Sequence, residues 1–118
     1  MESSGKENSG VTTTEAIVVL VTAANPREAG DLARHLLSEK LAACVNMVSG
    51  ITSLFWWEDK IDEAEETLLV IKSAARLFPQ IEAAVKEKHS YSVPEILALP
   101  IEKGYAGYLE WIEKNVKP

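Results

Sequence analysis

Apolar and polar positions along this chain follow two periods, and the changes of period mark its elements. Residues 16–22, AIVVLVT, form an unbroken apolar, largely β-branched run. That is the pattern of a strand buried on both faces. Asn25-Pro26-Arg27-Glu28 follows. Asn25 suits an N-cap, Pro26 the first helical position, and Glu28 the closing position of a capping box. Leu32, Ala33, Leu36, Leu37 and Leu41 then recur at helical spacing, which predicts a helix over about 26–40.

Two extended stretches come next, 42–57 and 60–72, carrying ITSLFWW and TLLVIK. Both are rich in β-branched and aromatic residues. Glu58 and Asp59 between them predict a tight turn, and Gly50 a bend or bulge in the first arm. About thirteen residues per arm at ~3.3 Å each give a ribbon of roughly 43 Å. A compact chain of this length is only about 35 Å across. The hairpin is therefore expected to overhang its own domain. Its tip carries Phe55, Trp56 and Trp57. An uncovered aromatic ribbon with open edges invites aggregation. The simplest cover is another copy of the same chain in a closed ring, so a homo-oligomer is expected.

Leu77, Ile81, Ala84, Val85 and Lys88 share one stripe of a second helix over about 75–89, with Pro79 in its first turn. The segment HSYSVPE reads as an exit loop in which Pro94 forces Val93 toward extended geometry. EILALPI, 95–101, reads as an edge strand ending at Pro100. Lys103-Gly104 breaks it, and a short closing helix over 105–116 puts Tyr108, Leu109, Ile112 and Val116 inward. The order β-α-β-β-α-β-α predicts an α+β fold whose first six elements are the ferredoxin-like split βαβ arrangement. Residues 1–14, MESSGKENSGVTTT, are polar and read as a disordered leader, leaving 15–118 as a single domain.

Composition narrows the function classes. The chain has 118 residues and a formal net charge of -6, with 18 acidic and 12 basic side chains. That balance argues against nucleic-acid binding, which needs a basic face. No apolar run approaches the roughly 20 residues that cross a bilayer. A cytoplasmic location is expected, or an organelle such as a plastid if a transit peptide has been removed.

The chain holds one cysteine, Cys44, so no internal disulfide forms. Cys44 with His89 is the sharpest chemical candidate, because a thiolate and an imidazole suit copper or zinc. The two lie 45 residues apart in sequence, so only the fold could join them. The plainer reading, which the residues alone favour, is a packed strand cysteine. Met47 falls on the opposite strand face and makes a poor third ligand. A catalytic thiol would need an oriented base, and no motif places an Asp or Asn beside His89; no enzyme is expected. His35 lies off its helix's apolar stripe. The acidic run EDKIDEAEE, 58–66, reads as a solvated hairpin tip, since its spacing is not that of a calcium loop.

Three blocks then carry a resemblance. EKLAACVNMVSGITSLFWWEDKI resembles the signature hairpin of the CutA family of divalent-cation-tolerance proteins, with its K-L-A-A-C-x-N and S-x-x-x-W-E-G-K patterns. HSYSVPEILALPI is similar to that family's H-P-Y-x-x-P-E segment, and YLEWI to its closing helix. The resemblance spans about 16–114. It implies a tight homotrimer of ferredoxin-like subunits whose hairpins pair with their neighbours. It also implies a role in divalent-cation tolerance, copper especially, with signalling to an unidentified protein partner and no established catalysis. No cofactor is required by it, and copper is the expected cation. Trp57, Glu58, Lys72, Tyr91 and Glu95 match positions near the family's cleft between subunits. They form a candidate site for a small anionic or zwitterionic ligand, or they lock the trimer by packing and by a Glu95–Lys72 salt bridge. Two positions depart from the pattern: Asp59 replaces the turn glycine, and Ser90 replaces a proline, which is expected to loosen the loop beside His89. Val21 stands where some bacterial members carry a cysteine, so a three-ligand copper site using that thiol is not available.

Overall fold

The computed structural model describes residues 15–118, so the expected leader over 1–14 lies outside the described residues. The elements are β1 (Ala16–Ala23), α1 (Pro26–Ser38), β2 (Cys44–Trp57), β3 (Lys60–Ala74), a 3-10 turn (Ala75–Leu77), α2 (Phe78–Lys88), β4 (Ile96–Pro100) and α3 (Ala106–Lys114). The strands form one sheet in the order β2-β3-β1-β4, with every neighbouring pair antiparallel. This is the ferredoxin-like α+β arrangement that the element order predicts, with α3 added.

Local chemistry sets the ends of α1. Asn25 Oδ1 accepts the Glu28 N–H at 2.8 Å, and Glu28 Oε1 accepts the Ala24 N–H at 2.8 Å. The box thus closes on Ala24, one residue earlier than a capping box does. The helix stops at Ser38 rather than near 40. Lys40 takes a left-handed φ of 59°, its N–H donates to the Leu37 carbonyl, and the Leu41 N–H donates to the Leu36 carbonyl. That is a Schellman ending with lysine where glycine is usual.

One face of the sheet carries the core. Val19, Val21, Leu69 and Ile71 are fully buried with Leu32, Leu36, Ile81 and Val85 of the two long helices. The other face is different. Val18 and Leu20, between the buried residues of β1, are only half-buried. The expectation that β1 is shielded on both faces therefore fails within one subunit, because α1 and α2 both pack on the same side. Leu20 pairs with Val70 and Leu97, and Val18 with Leu99, so these side chains share the second face. Leu97 is 56% and Leu99 50% exposed.

The hairpin runs from the Cys44–Lys72 pair to the Trp57–Lys60 pair. Glu58 (φ 50°) and Asp59 (φ 64°) both take left-handed geometry, as a two-residue type I′ turn requires. Gly50 has φ 74°, and the register slips between Val48 and Ile51, which is the expected bulge. The overhang is present: the described residues measure 55 × 29 × 23 Å with a radius of gyration of 16.2 Å, against about 13 Å for a compact chain.

Two smaller expectations change. Lys88 is exposed, and the buried place after Val85 goes to His89. At the C-terminus, Ile112 of α3 and Val116 just beyond it are buried as expected, while Tyr108 stays 41% exposed and Leu109 is half-buried.

Candidate functional site

The end of α2 delivers His89 into the junction between β1 and the loop that leads to β4. His89 Nε2 lies 2.7 Å from the Thr22 carbonyl, and the Tyr91 N–H donates to His89 Nδ1 at 3.0 Å. This network places the ring proton on Nε2, the donor to Thr22. The imidazole side chain is fully buried, and its ring tilts against Tyr91 with centroids 4.8 Å apart. Glu28 reaches the same loop from α1, its Oε2 accepting the Ser90 N–H at 2.6 Å. Proline at 90 would have no N–H to give. Ser90 therefore ties the loop to α1, which corrects the expectation that it loosens it.

Burial works against the charge of the Glu28 carboxyl. The N–H of Ala24, the Ser90 side chain and N–H, and the nearby His89 outweigh it and hold that carboxyl below its ordinary range. A depressed carboxyl contributes stability above its unfolded value, near ~4.3, and loses it as pH falls through the folded one. Glu28→Gln is expected to cost about 1 kcal/mol at pH 7, with the gap narrowing as the pH falls below that unfolded value. Guanidinium unfolding of both proteins at neutral and at acid pH measures this; an equal gap at both would contradict it.

From this anchored loop Tyr91 reaches β3. Its hydroxyl donates to Glu66 Oε2 at 2.7 Å, and Ser53 of β2 donates to Glu66 Oε1 at 2.6 Å. Burial first, and then the Glu66 carboxylate, push the Tyr91 phenol up to about 12, so it stays a hydrogen-bond donor at neutral pH. Beside this bridge opens a cleft of about 550 Å³. Its hairpin wall includes Phe55, Trp57, Asp62 and Glu66; its loop wall includes Tyr91 and Glu95.

The structure divides the residues singled out from sequence. Trp57, Tyr91 and Glu95 line the cleft. Glu58 sits in the turn and is not among the lining residues. Lys72 lies opposite Val18, whereas the Glu95 end of β4 lies near Val21. Lys72 donates to Asn46 Oδ1 instead of pairing with Glu95.

Within one subunit Cys44 and His89 do not meet. Cys44 pairs with Lys72, which pairs with Val18, while His89 is held at Thr22. Two strand spacings and four residues separate those backbone positions, roughly 10 Å by 13 Å. A metal ion holds its ligands at about 2.0–2.3 Å, far too short to span that gap. Both imidazole nitrogens are also engaged. Cys44 itself is a free, half-buried thiol. Its neighbour Tyr108 has its phenol raised by burial first and then by that thiol. Among the described residues, no three His, Cys, Asp or Glu are grouped to hold a metal.

Sequence reasoning missed Glu66, Thr22 and the second role of Glu28. A signal for Glu66 was present: it alternates in phase with Leu68 and Val70, so it belongs to the sheet face rather than to a solvated acidic run.

Comparison with known proteins adds the lineage. Residues 17–115 match the family described as CutA1 divalent ion tolerance protein. The chain is 45% identical over 114 residues, 97% of its length, to Protein CutA 1, chloroplastic, of Oryza sativa subsp. japonica, and it spans 64% of that protein. It is 44% identical over 98 residues to the Divalent-cation tolerance protein CutA of Thermus thermophilus, covering 83% of this chain and 95% of that one. The crystal structure of CutA1 from Oryza sativa matches with a TM-score of 0.86 and 46% identity, covering 90% of this chain and 97% of the other.

Proposed function

This chain belongs to the CutA1 divalent ion tolerance family, and we propose that it works in divalent-cation tolerance as a homotrimer. The observation that carries the assembly is the uncovered sheet face. Leu97 and Leu99 stand half-exposed beside Val18 and Leu20, and the hairpin overhangs with Trp56 72% exposed at its tip. A soluble subunit rarely leaves such a surface open, and closed symmetry covers it without free edges. In this reading copper is taken up with Cys44 as the soft donor, and the trimer signals the metal to a protein partner. The remaining ligands come from outside the Cys44–His89 pair, since the imidazole is sealed inside the subunit.

A second reading is favoured by the lack of a grouped ligand set among the described residues. Here the trimer is a stable scaffold that presents one surface three times to a protein partner, and metal binding is incidental. Neither the family's description nor the relatives' names point to an enzyme activity. No helix among the described residues is long and apolar enough to cross a membrane. The rice relative's name places that protein in the chloroplast, which supports a plastid over the cytoplasm for this chain.

Copper calorimetry on wild type and Cys44→Ala separates the two readings. The first expects about one copper per subunit in the wild type and at least ~10-fold weaker binding in the variant. Equal weak binding by both proteins would leave the scaffold.

A further inference from the structure

The buried imidazole of His89 has a carboxylate beside it that its present bonds do not use. The ring is fully buried, and its partners come from three parts of its own subunit. Nε2–H donates to the Thr22 carbonyl of β1, and Nδ1 accepts the Tyr91 N–H of the exit loop. Glu28 Oε2 of α1 stands 4.0 Å from that same Nδ1, too far for a hydrogen bond. A neutral imidazole with its proton on Nε2 has nothing to donate there. A protonated one donates from both nitrogens. Nδ1–H then faces the Tyr91 N–H, donor against donor, and that bond is lost. The Glu28 carboxylate is the acceptor within reach. Closing the gap to about 2.8 Å takes a shift of roughly 1 Å. Oε2 already accepts the Ser90 N–H at 2.6 Å, and a carboxylate oxygen has lone pairs for two donors.

We propose that His89 and Glu28 form an acid-operated latch on the exit loop: protonation turns Nδ1 from the Tyr91 N–H to Glu28 and frees Tyr91, while Ser90 stays tied. Imidazole is the side chain whose charge ordinarily changes between about pH 5 and 8. Burial opposes that charge, and a carboxylate beside the ring favours it. Glu28 is held below its ordinary range, so it remains a carboxylate across that interval. The other groups around the ring leave Glu28 as its counter-charge. Tyr91 is a phenol pushed up to about 12, with Glu66 of β3 behind its hydroxyl and Glu95 further along the loop. Arg27, Asp31 and Lys88 share a surface hollow with Glu28, and β1 presents the Thr22 carbonyl. Once open, the latch frees the loop between Ser90 and the Tyr91–Glu66 bond, so acid acts on the segment that joins α2 to β4. The inference rests neither on copper at Cys44 nor on the trimer.

Amide hydrogen exchange of the full-length protein, followed by NMR and expressed as protection factors, tests the latch at about pH 7.5 and about pH 5.5. Tyr91 protection is expected to fall ~10-fold or more over that interval, and Ser90 protection by less than ~3-fold. The ring nitrogens of His89 are expected to pass from the Nε2–H form to the doubly protonated form over the same interval. In Glu28→Gln the imidazolium has no counter-charge, so the fall at Tyr91 is expected to shrink below ~3-fold. Unchanged Tyr91 protection in the wild type, an equal fall at Ser90 and Tyr91, a ring that stays neutral at the lower pH, or the full fall in Glu28→Gln would overturn the proposal.

Discussion

Leu97→Glu combined with Leu99→Glu is expected to convert the assembly into folded monomers. Both side chains stand on the sheet face that the helices leave open, and both are already half-exposed in the subunit. The change therefore removes little from the subunit's own core, which lies on the opposite face. In an assembly that covers this face, each new carboxylate becomes a charge buried without a partner. That costs several kcal/mol per site, on top of about 1 kcal/mol lost with each leucine. Closed symmetry repeats the penalty in every subunit. Light scattering is expected to read the 13.0 kDa of one subunit, with the circular-dichroism spectrum of the folded protein retained. A variant that keeps the wild-type mass would place the interface elsewhere.

His89→Ala is expected to be the most damaging single change to the subunit itself. The imidazole is fully buried, donates to the Thr22 carbonyl and accepts from the Tyr91 N–H. Truncation leaves two backbone groups without partners and a void between β1 and the exit loop. Together these cost roughly 2–4 kcal/mol. The loop that carries Tyr91 and Glu95 loses its anchor at the same stroke, so the cleft should loosen with it. Guanidinium unfolding measures the stability, and copper titration of the same variant measures the metal. The expected result is a large drop in midpoint with copper affinity unchanged. The reverse, an unchanged midpoint with copper binding abolished, would make His89 a ligand and contradict the geometry described above.

Element order, the hairpin turn, the bulge at Gly50 and the overhang were all legible in the sequence, because each depends on local patterning. Periodicity of apolar residues sets the elements, and Glu58-Asp59 and Gly50 mark where the ladder turns or slips. What escaped depended on register. Lys72 and Glu95 look like neighbours in function, yet β3 pairs Lys72 with Val18 and β4 pairs Ile96 with Val21, which sends them to different ends of the sheet. Cys44 and His89 were separated by the same arithmetic. The continuous apolar run of β1 was read as burial on both faces. It reports instead two apolar faces, of which one subunit covers only one. Glu66 was lost inside an acidic run, although its phase with Leu68 and Val70 set it apart from Glu65.

Light scattering of the wild-type protein tests the central claim most directly. A mass of three times the 13.0 kDa subunit, unchanged on dilution through the micromolar range, is the predicted result. A stable monomer would contradict the account, because the open apolar face and the overhanging hairpin would then stand uncovered in water.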